Sequence, residues 1–149
     1  MAHSNIAGRH CDTLMQFSGE DLDPESISSL INLKSFSSKK RGERMGPPRP
    51  GHPVPLARLG VLSYSTHTLQ SNDINDHFRY LLHAILPVAS EVKSLVDRDH
   101  LSWRIICFFD DPPPDLRAAL DTSIAKKFDE LGIELFLDDP NTITVVEET

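Results

Sequence analysis

Hydrophobic and polar positions alternate along Thr13-Leu-Met-Gln-Phe-Ser18, with Thr13, Met15 and Phe17 on one face. This two-residue period predicts a half-buried strand, which Gly19 ends. A helix start follows at Asp23-Pro24-Glu25, where an N-cap residue, a first-turn proline and an acid at the positive helix end stand in order. Ile27, Leu30 and Ile31 give that short helix its apolar stripe, and it ends near Asn32. Leu59 to Thr66 predicts a second strand. Behind the cap candidates Ser71, Asn72 and Asp73, apolar residues recur in steps of three and four: Ile74, Phe78, Leu81, Leu82, Ile85, Val88, Val92, Leu95 and Val96. That is the stripe of a long helix. Pro87 lies inside it and predicts a kink or two abutting helices, since an interior proline costs about 3 kcal/mol and one hydrogen bond.

Trp103 to Phe109 is apolar enough for a central strand, and Asp110-Asp-Pro-Pro-Pro114 stops it. Asp115 caps a further helix whose buried face is Leu116, Ala119, Leu120, Ile124, Phe128 and Leu131, with Gly132 at its C-terminus. Ile133 to Leu137 predicts the last core strand, and Thr142 to Val146 an additional edge strand or a tail. The element order predicts an α+β fold: a mostly antiparallel sheet of four to five strands with helices packed on one face, in a ferredoxin-like variant. A doubly wound parallel sheet is the alternative, weakened by too few strand–helix repeats.

Periodicity disappears from Lys34 to Arg58, where Pro47, Pro48, Pro50, Pro53 and Pro55 each lack a backbone donor. This stretch reads as a mobile or extended loop with polyproline-II character. Residues 13–149 thus read as one domain carrying a proline-rich loop at 34–58, preceded by a flexible polar segment at 1–12.

Composition sharpens the interest of that loop. The chain of 149 residues has 39% hydrophobic and 25% charged residues, ordinary for a folded protein, and a formal net charge of −7. The loop holds seven basic side chains (Lys34, Lys39, Lys40, Arg41, Arg44, Arg49, Arg58) against one acid, Glu43, which makes it +6 and leaves −13 on the remainder. An acidic chain argues against nucleic acid as partner, and the loop's one aromatic, Phe36, gives little for bases to stack on. No apolar run reaches the roughly 18–20 residues of a membrane span, and two cysteines, Cys11 and Cys107, are too few for a disulfide scaffold. A cytoplasmic location with reduced thiols is expected.

The residues Phe17-Ser-Gly-Glu-Asp-Leu-Asp-Pro24 with Ile27 and Leu30, Arg41-Gly42, the Gly60 strand ending in Ser65-Thr66, the helix from His77 to Pro87, and Leu131-Gly-Ile-Glu-Leu135 form a spaced set. In this set the chain resembles a bacterial family catalogued as domain of unknown function 4279. It departs from that pattern in having Val61 and Leu62 where a tryptophan is expected, and in continuing to Thr149. The resemblance implies a bacterial source and a small intracellular domain. It brings no activity and no catalytic residue.

The chemistry-bearing side chains divide as follows. Acidic clusters at Glu20, Asp21 and Asp23, at Asp110 and Asp111, and at Asp138 and Asp139 read as turn and cap residues rather than metal ligands. His10, His67, His77 and His83 read as solvated surface histidines, and no metal or other cofactor is expected. No nucleophile motif or phosphate-binding glycine loop is present, which favours a non-enzymatic role. Lys39, Lys40, Arg41, Arg44 and Arg49 are the candidate contacts to an acidic protein partner, or to a second copy in a symmetric homodimer. The alternative is a ligand pocket between the long helix and the sheet, lined by Arg79, Tyr80, Trp103 and Arg104.

Overall fold

Alternation along the first strand places Cys11, Thr13, Met15 and Phe17 inside and the residues between them half out. That strand, β1 (Cys11–Gly19), is the centre of a five-stranded sheet in a computed structural model that describes residues 10–47 and 50–138. It is followed by α1 (Pro24–Ser28), β2 (Ser37–Lys39), β3 (Gly60–Ser65), α2 (Ile74–Ile85), α3 (Ala89–Arg98), β4 (Ser102–Phe109), α4 (Leu116–Ala119), α5 (Thr122–Leu131) and β5 (Glu134–Asp138). The sheet order is β2-β3-β1-β4-β5. β1 runs antiparallel to β3 and β4, β2 antiparallel to β3, and β5 parallel to β4. The fold is therefore mixed α+β and mostly antiparallel. β3 and β4 flank β1 and are joined through α2 and α3, the split crossover of ferredoxin-like folds. The parallel β4–β5 pair closes through α4 and α5, as a parallel pair must close through a crossover.

The core lies on one face of this sheet. Met15, Phe17, Leu62, Tyr64, Trp103 and Ile105 pack there beneath Phe78, Leu81, Ile85, Val92, Ile124 and Phe128 from the helices. Phe17 stacks on Trp103 at 5.2 Å, and Phe78 meets Phe128 edge-on at 5.1 Å, which ties α2 to α5. Each such fully buried aromatic stabilises the fold by about 1.5–3 kcal/mol through area alone.

Several details differ from expectation. Residues 1–9 of the N-terminal segment lie outside the described residues, but Cys11 and Asp12 already belong to β1. Asp23 occupies the N-cap of α1 without a side-chain bond, whereas caps worth about 1 kcal/mol are made by Asp73, which accepts from Asn75 N, and by Asp115, which accepts from Arg117 N and Ala118 N. Pro87 does produce two abutting helices, joined by a 3₁₀ turn over Leu86–Val88. The helix expected from Leu116 to Leu131 is broken, because Leu120 is extended and Asp121 starts α5. Asn75 holds that break, its Oδ1 accepting from Asp121 N at 2.9 Å. Gly132 ends α5 at φ 76°, the left-handed cap its position suggested. The stretch 142–146 lies outside the described residues.

The loop at 34–58 is more regular than its composition suggests. Ser37–Lys39 forms β2, a polar edge strand against β3. Beyond it the chain turns back on itself: Gly42 N donates to Ala57 O, Ala57 N to Glu43 O and Met45 N to Pro55 O, all at 2.8 Å, with a bridge at Arg44 and Leu56. The prolines fall outside these donor positions, which is why they are tolerated.

Candidate functional site

Among the described residues no helix covers the sheet's second face. Register places Ser37, Ser63, Gln16, Arg104 and Glu134 in one row across it, and Lys39, Val61 and Ser18 in the next. The returning limb of the loop lies beside the β2, β3 and β1 part of this face and leaves a groove of about 550 Å³. Gln16, Ser18, Ser37, Lys39, Val61 and Arg104 line its sheet side, while Met45, Pro55, Leu56, Ala57, Arg58 and Leu59 line its loop side. Three cations and no carboxylate thus face the groove, in a chain whose net charge is −7. Met45 and Leu56 are 52% and 57% exposed, and side by side on the loop wall they give the groove an apolar flank.

Two side chains of the groove are held in place by neighbours. Arg104 Nε and Nη2 both donate to Gln16 Oε1, at 3.0 and 2.8 Å, and its guanidinium carbon lies 5.7 Å from the centre of the Phe136 ring. Lys39 Nζ donates to Arg44 O at 2.9 Å. Arg58, on the loop side, is exposed and makes no ion pair among the described residues.

Of the loop cations expected to act together, Lys39 faces the groove and Lys40 and Arg44 are exposed. Arg41 reaches Glu20 at 3.7 Å, and Arg49 lies outside the described residues. The four residues expected to line a pocket between helix and sheet are not brought together. Trp103 is buried in the core against Phe17, and Arg104, the next residue of the same strand, projects from the opposite face. Arg79 pairs with Asp76 and Asp121 on the helical surface, and Tyr80 is exposed. The space between α2 and the sheet is filled by Met15, Tyr64, Phe78 and Ile85. Of the groove residues only Lys39 and Arg104 were among the candidates read from sequence; the others, Gln16, Ser37, Leu56 and Arg58 among them, were missed. The one available signal was the outward face of β1, where Gln16 and Ser18 alternate with the core residues.

His77 is a further correction. It is fully buried, with Nδ1 2.7 Å from Thr66 Oγ1 and Nε2 2.8 Å from Ser71 O. The other histidines read as exposed are so: His10 beside Asp12, His67 beside Ser65, and His83. Cys11 and Cys107 are free, buried, and diagonal neighbours on the core face of β1 and β4. Diagonal pairs sit about 7–8 Å apart, too far for a disulfide. Burial first, then Asp12, Asp73 and Asp76, push the Cys11 thiol up to about 11, which keeps it protonated near neutral pH where it borders a cavity with Asn72, Phe109 and Pro113. Glu20 to Asp23 lie at one end of the sheet and Asp110, Asp111 and Asp138 at the other, and Asp139 is outside the described residues. Among the described residues no three His, Cys, Asp or Glu side chains converge on one point, and no helix is long and apolar enough to cross a membrane.

Compared with known proteins, residues 10–140 match the family model described as domain of unknown function (DUF4279). The chain belongs to that family. No curated protein and no solved structure matches it.

Proposed function

We propose that this domain is a non-enzymatic interaction module, of a regulatory or immunity type, that docks an acidic protein partner on its basic loop. One observation carries the reading. The loop is tied down by backbone bonds and by β2, yet among the described residues Arg41–Glu20 is its one ion pair to the rest of the chain. An ordered surface with uncompensated Lys40, Arg44 and Arg58 keeps its charge available for another molecule. A reciprocal homodimer, loop to acidic face, is the competing occupant of the same charges.

The experiment joins two measurements. Purified protein is sedimented over a range of concentrations at low and high salt, and wild type is compared with Lys40→Glu/Arg44→Glu in cross-linked capture from bacterial lysate. The expected result is a monomer that captures a partner through acidic cross-linked sites, with capture lost in the double variant and at high salt. A salt-sensitive dimer abolished by the same variant would replace the partner with a second copy. Capture indifferent to both charge reversals would remove the loop from the function.

A further inference from the structure

We propose that the groove between the loop and the open sheet face is a binding site for a small amphiphilic carboxylate, its head on Arg104 and its apolar body against the loop. This site borders the partner surface above and shares Arg58 with it, but it is centred on Arg104 and Leu56 rather than on Lys40 and Arg44.

The head position follows from the geometry of Arg104. A guanidinium has five N–H donors arranged as two forks, and Gln16 Oε1 takes one fork through Nε and Nη2. The second fork, between Nη1 and Nη2, is the edge that matches a carboxylate in a bidentate pair. Gln16 therefore positions the arginine without neutralising it. Glu134 stands opposite Arg104 in the β4–β5 register but makes no ion pair with it among the described residues. Charge complementarity fixes the sign of the ligand, since Lys39 and Arg58 add two more cations to the groove and no acid lines it.

The body position follows from the opposite wall. Met45, Pro55, Leu56 and Leu59 present an apolar surface, and Met45 and Leu56 are each more than half exposed. Covering them removes apolar area from water, which an inorganic anion cannot do. Ser18 and Ser37 on the sheet side are small and uncharged, and add no second charge requirement. A volume of about 550 Å³ is that of a small-molecule site.

The test is a titration of the full chain, labelled with ¹⁵N, with octanoate, 1-octanol, octylammonium and acetate as probes. Octanoate is expected to give saturable shifts at the amides of Gln16, Ser18 and Val61. Octanol and acetate should each bind at least about tenfold more weakly, lacking the charge-assisted pair or the apolar body. Octylammonium should give no saturable shift there. Arg104→Gln should weaken octanoate by about tenfold or more and Leu56→Ala by about threefold, with the spectrum elsewhere unchanged. Octanol binding as tightly as octanoate, acetate binding as tightly, or an unaltered affinity in Arg104→Gln would each overturn the assignment. So would the absence of saturable octanoate shifts. If Lys40→Glu/Arg44→Glu loses its protein partner while octanoate still binds, the groove and the partner surface are separate.

Discussion

Thr66 closes the last rung between β1 and β3 with its amide and its side-chain oxygen together, and replacing it tests how much the side-chain half is worth. Its amide donates to Thr13 O at 3.0 Å, while its Oγ1 accepts from Thr13 N at 2.9 Å. The same oxygen lies 2.9 Å from Thr13 Oγ1 and 2.7 Å from His77 Nδ1. Ser71 O can only accept, so His77 Nε2 carries the proton, and in the neutral ring Nδ1 accepts from the Thr66 hydroxyl. Thr13 then donates twice to Thr66, and every donor has one acceptor. Thr13, Thr66 and His77 are all fully buried, so water cannot replace a lost partner. Thr66→Val keeps the shape but strands the Thr13 amide, the Thr13 hydroxyl and His77 Nδ1. Stranded buried groups cost about 1–3 kcal/mol each, and with partial relaxation the sum is about 3–5 kcal/mol. For a chain of this size that is a fall of about 10 °C in midpoint. Thr66→Ser keeps the hydroxyl and should lose only about 1 kcal/mol of methyl packing. Thermal and urea unfolding followed by circular dichroism read both. A Val variant that melts with wild type, or a Ser variant as damaged as Val, would refute the hydrogen-bond account.

Two further outcomes follow from the same packing. Gly60 pairs with Gly19 at the other end of the β1–β3 ladder, and a Cβ on it would sit 2.9 Å from Leu22 Cβ and 3.0 Å from Leu22 O. Gly60→Ala should therefore cost about 2 kcal/mol in urea unfolding, and a loss under about 0.5 kcal/mol would show that Leu22 yields freely. The buried thiols predict alkaline weakening: an unfolded thiol ionises near its ordinary 9.0, while Cys11 is raised to about 11 and burial pushes Cys107 up as well. Between those values the unfolded state binds fewer protons, so stability falls as pH rises from 9.0 toward 11, and Tyr64, raised by burial to about 12, extends the decline. Urea midpoints at several pH values should slope downward in wild type and less so in Cys11→Ser/Cys107→Ser; equal slopes would exclude the thiols as the cause.

The elements that were legible in the sequence are those whose pattern and burial agree. β1 alternates because one face meets the core, and α2 shows a stripe because Ile74, Phe78, Leu81 and Ile85 all point into it. What escaped is what tertiary context decides. Ser37–Lys39 has no strand signature because an edge strand exposes its residues and borrows its order from β3. His77 looked like surface because a polar side chain is buried only where partners await it, and the turn that brings Thr66 and Ser71, 11 and 6 positions before it, onto its ring has no periodic signature. The helix break at Leu120 depends on Asn75, 46 positions from Asp121 in the chain. The opposite projections of Trp103 and Arg104 were readable, since successive strand residues alternate. A pocket containing both was incompatible with the strand they share.

The structure also changes how the loop can be tested. A five-stranded sheet with helices on one side leaves its other side to water, and here Met45 and the stretch from Pro55 to Leu59 wall part of that side. Prolines suit this position where the segment does not join the ladder, because they fall away from the amides of Gly42, Met45 and Ala57 that do donate. Deleting residues 39–55 would remove the end of β2, the Arg44–Leu56 bridge and one wall of the groove together. Any binding lost by that deletion would report exposed sheet as readily as missing charge. Substitutions that leave the backbone bonds of Gly42, Met45 and Ala57 in place avoid this confusion. Lys40→Glu and Arg44→Glu change only the outward charge, and Arg104→Gln only the groove. If the partner follows the first pair and the carboxylate follows the third, the loop is wall to one site and contact surface of another.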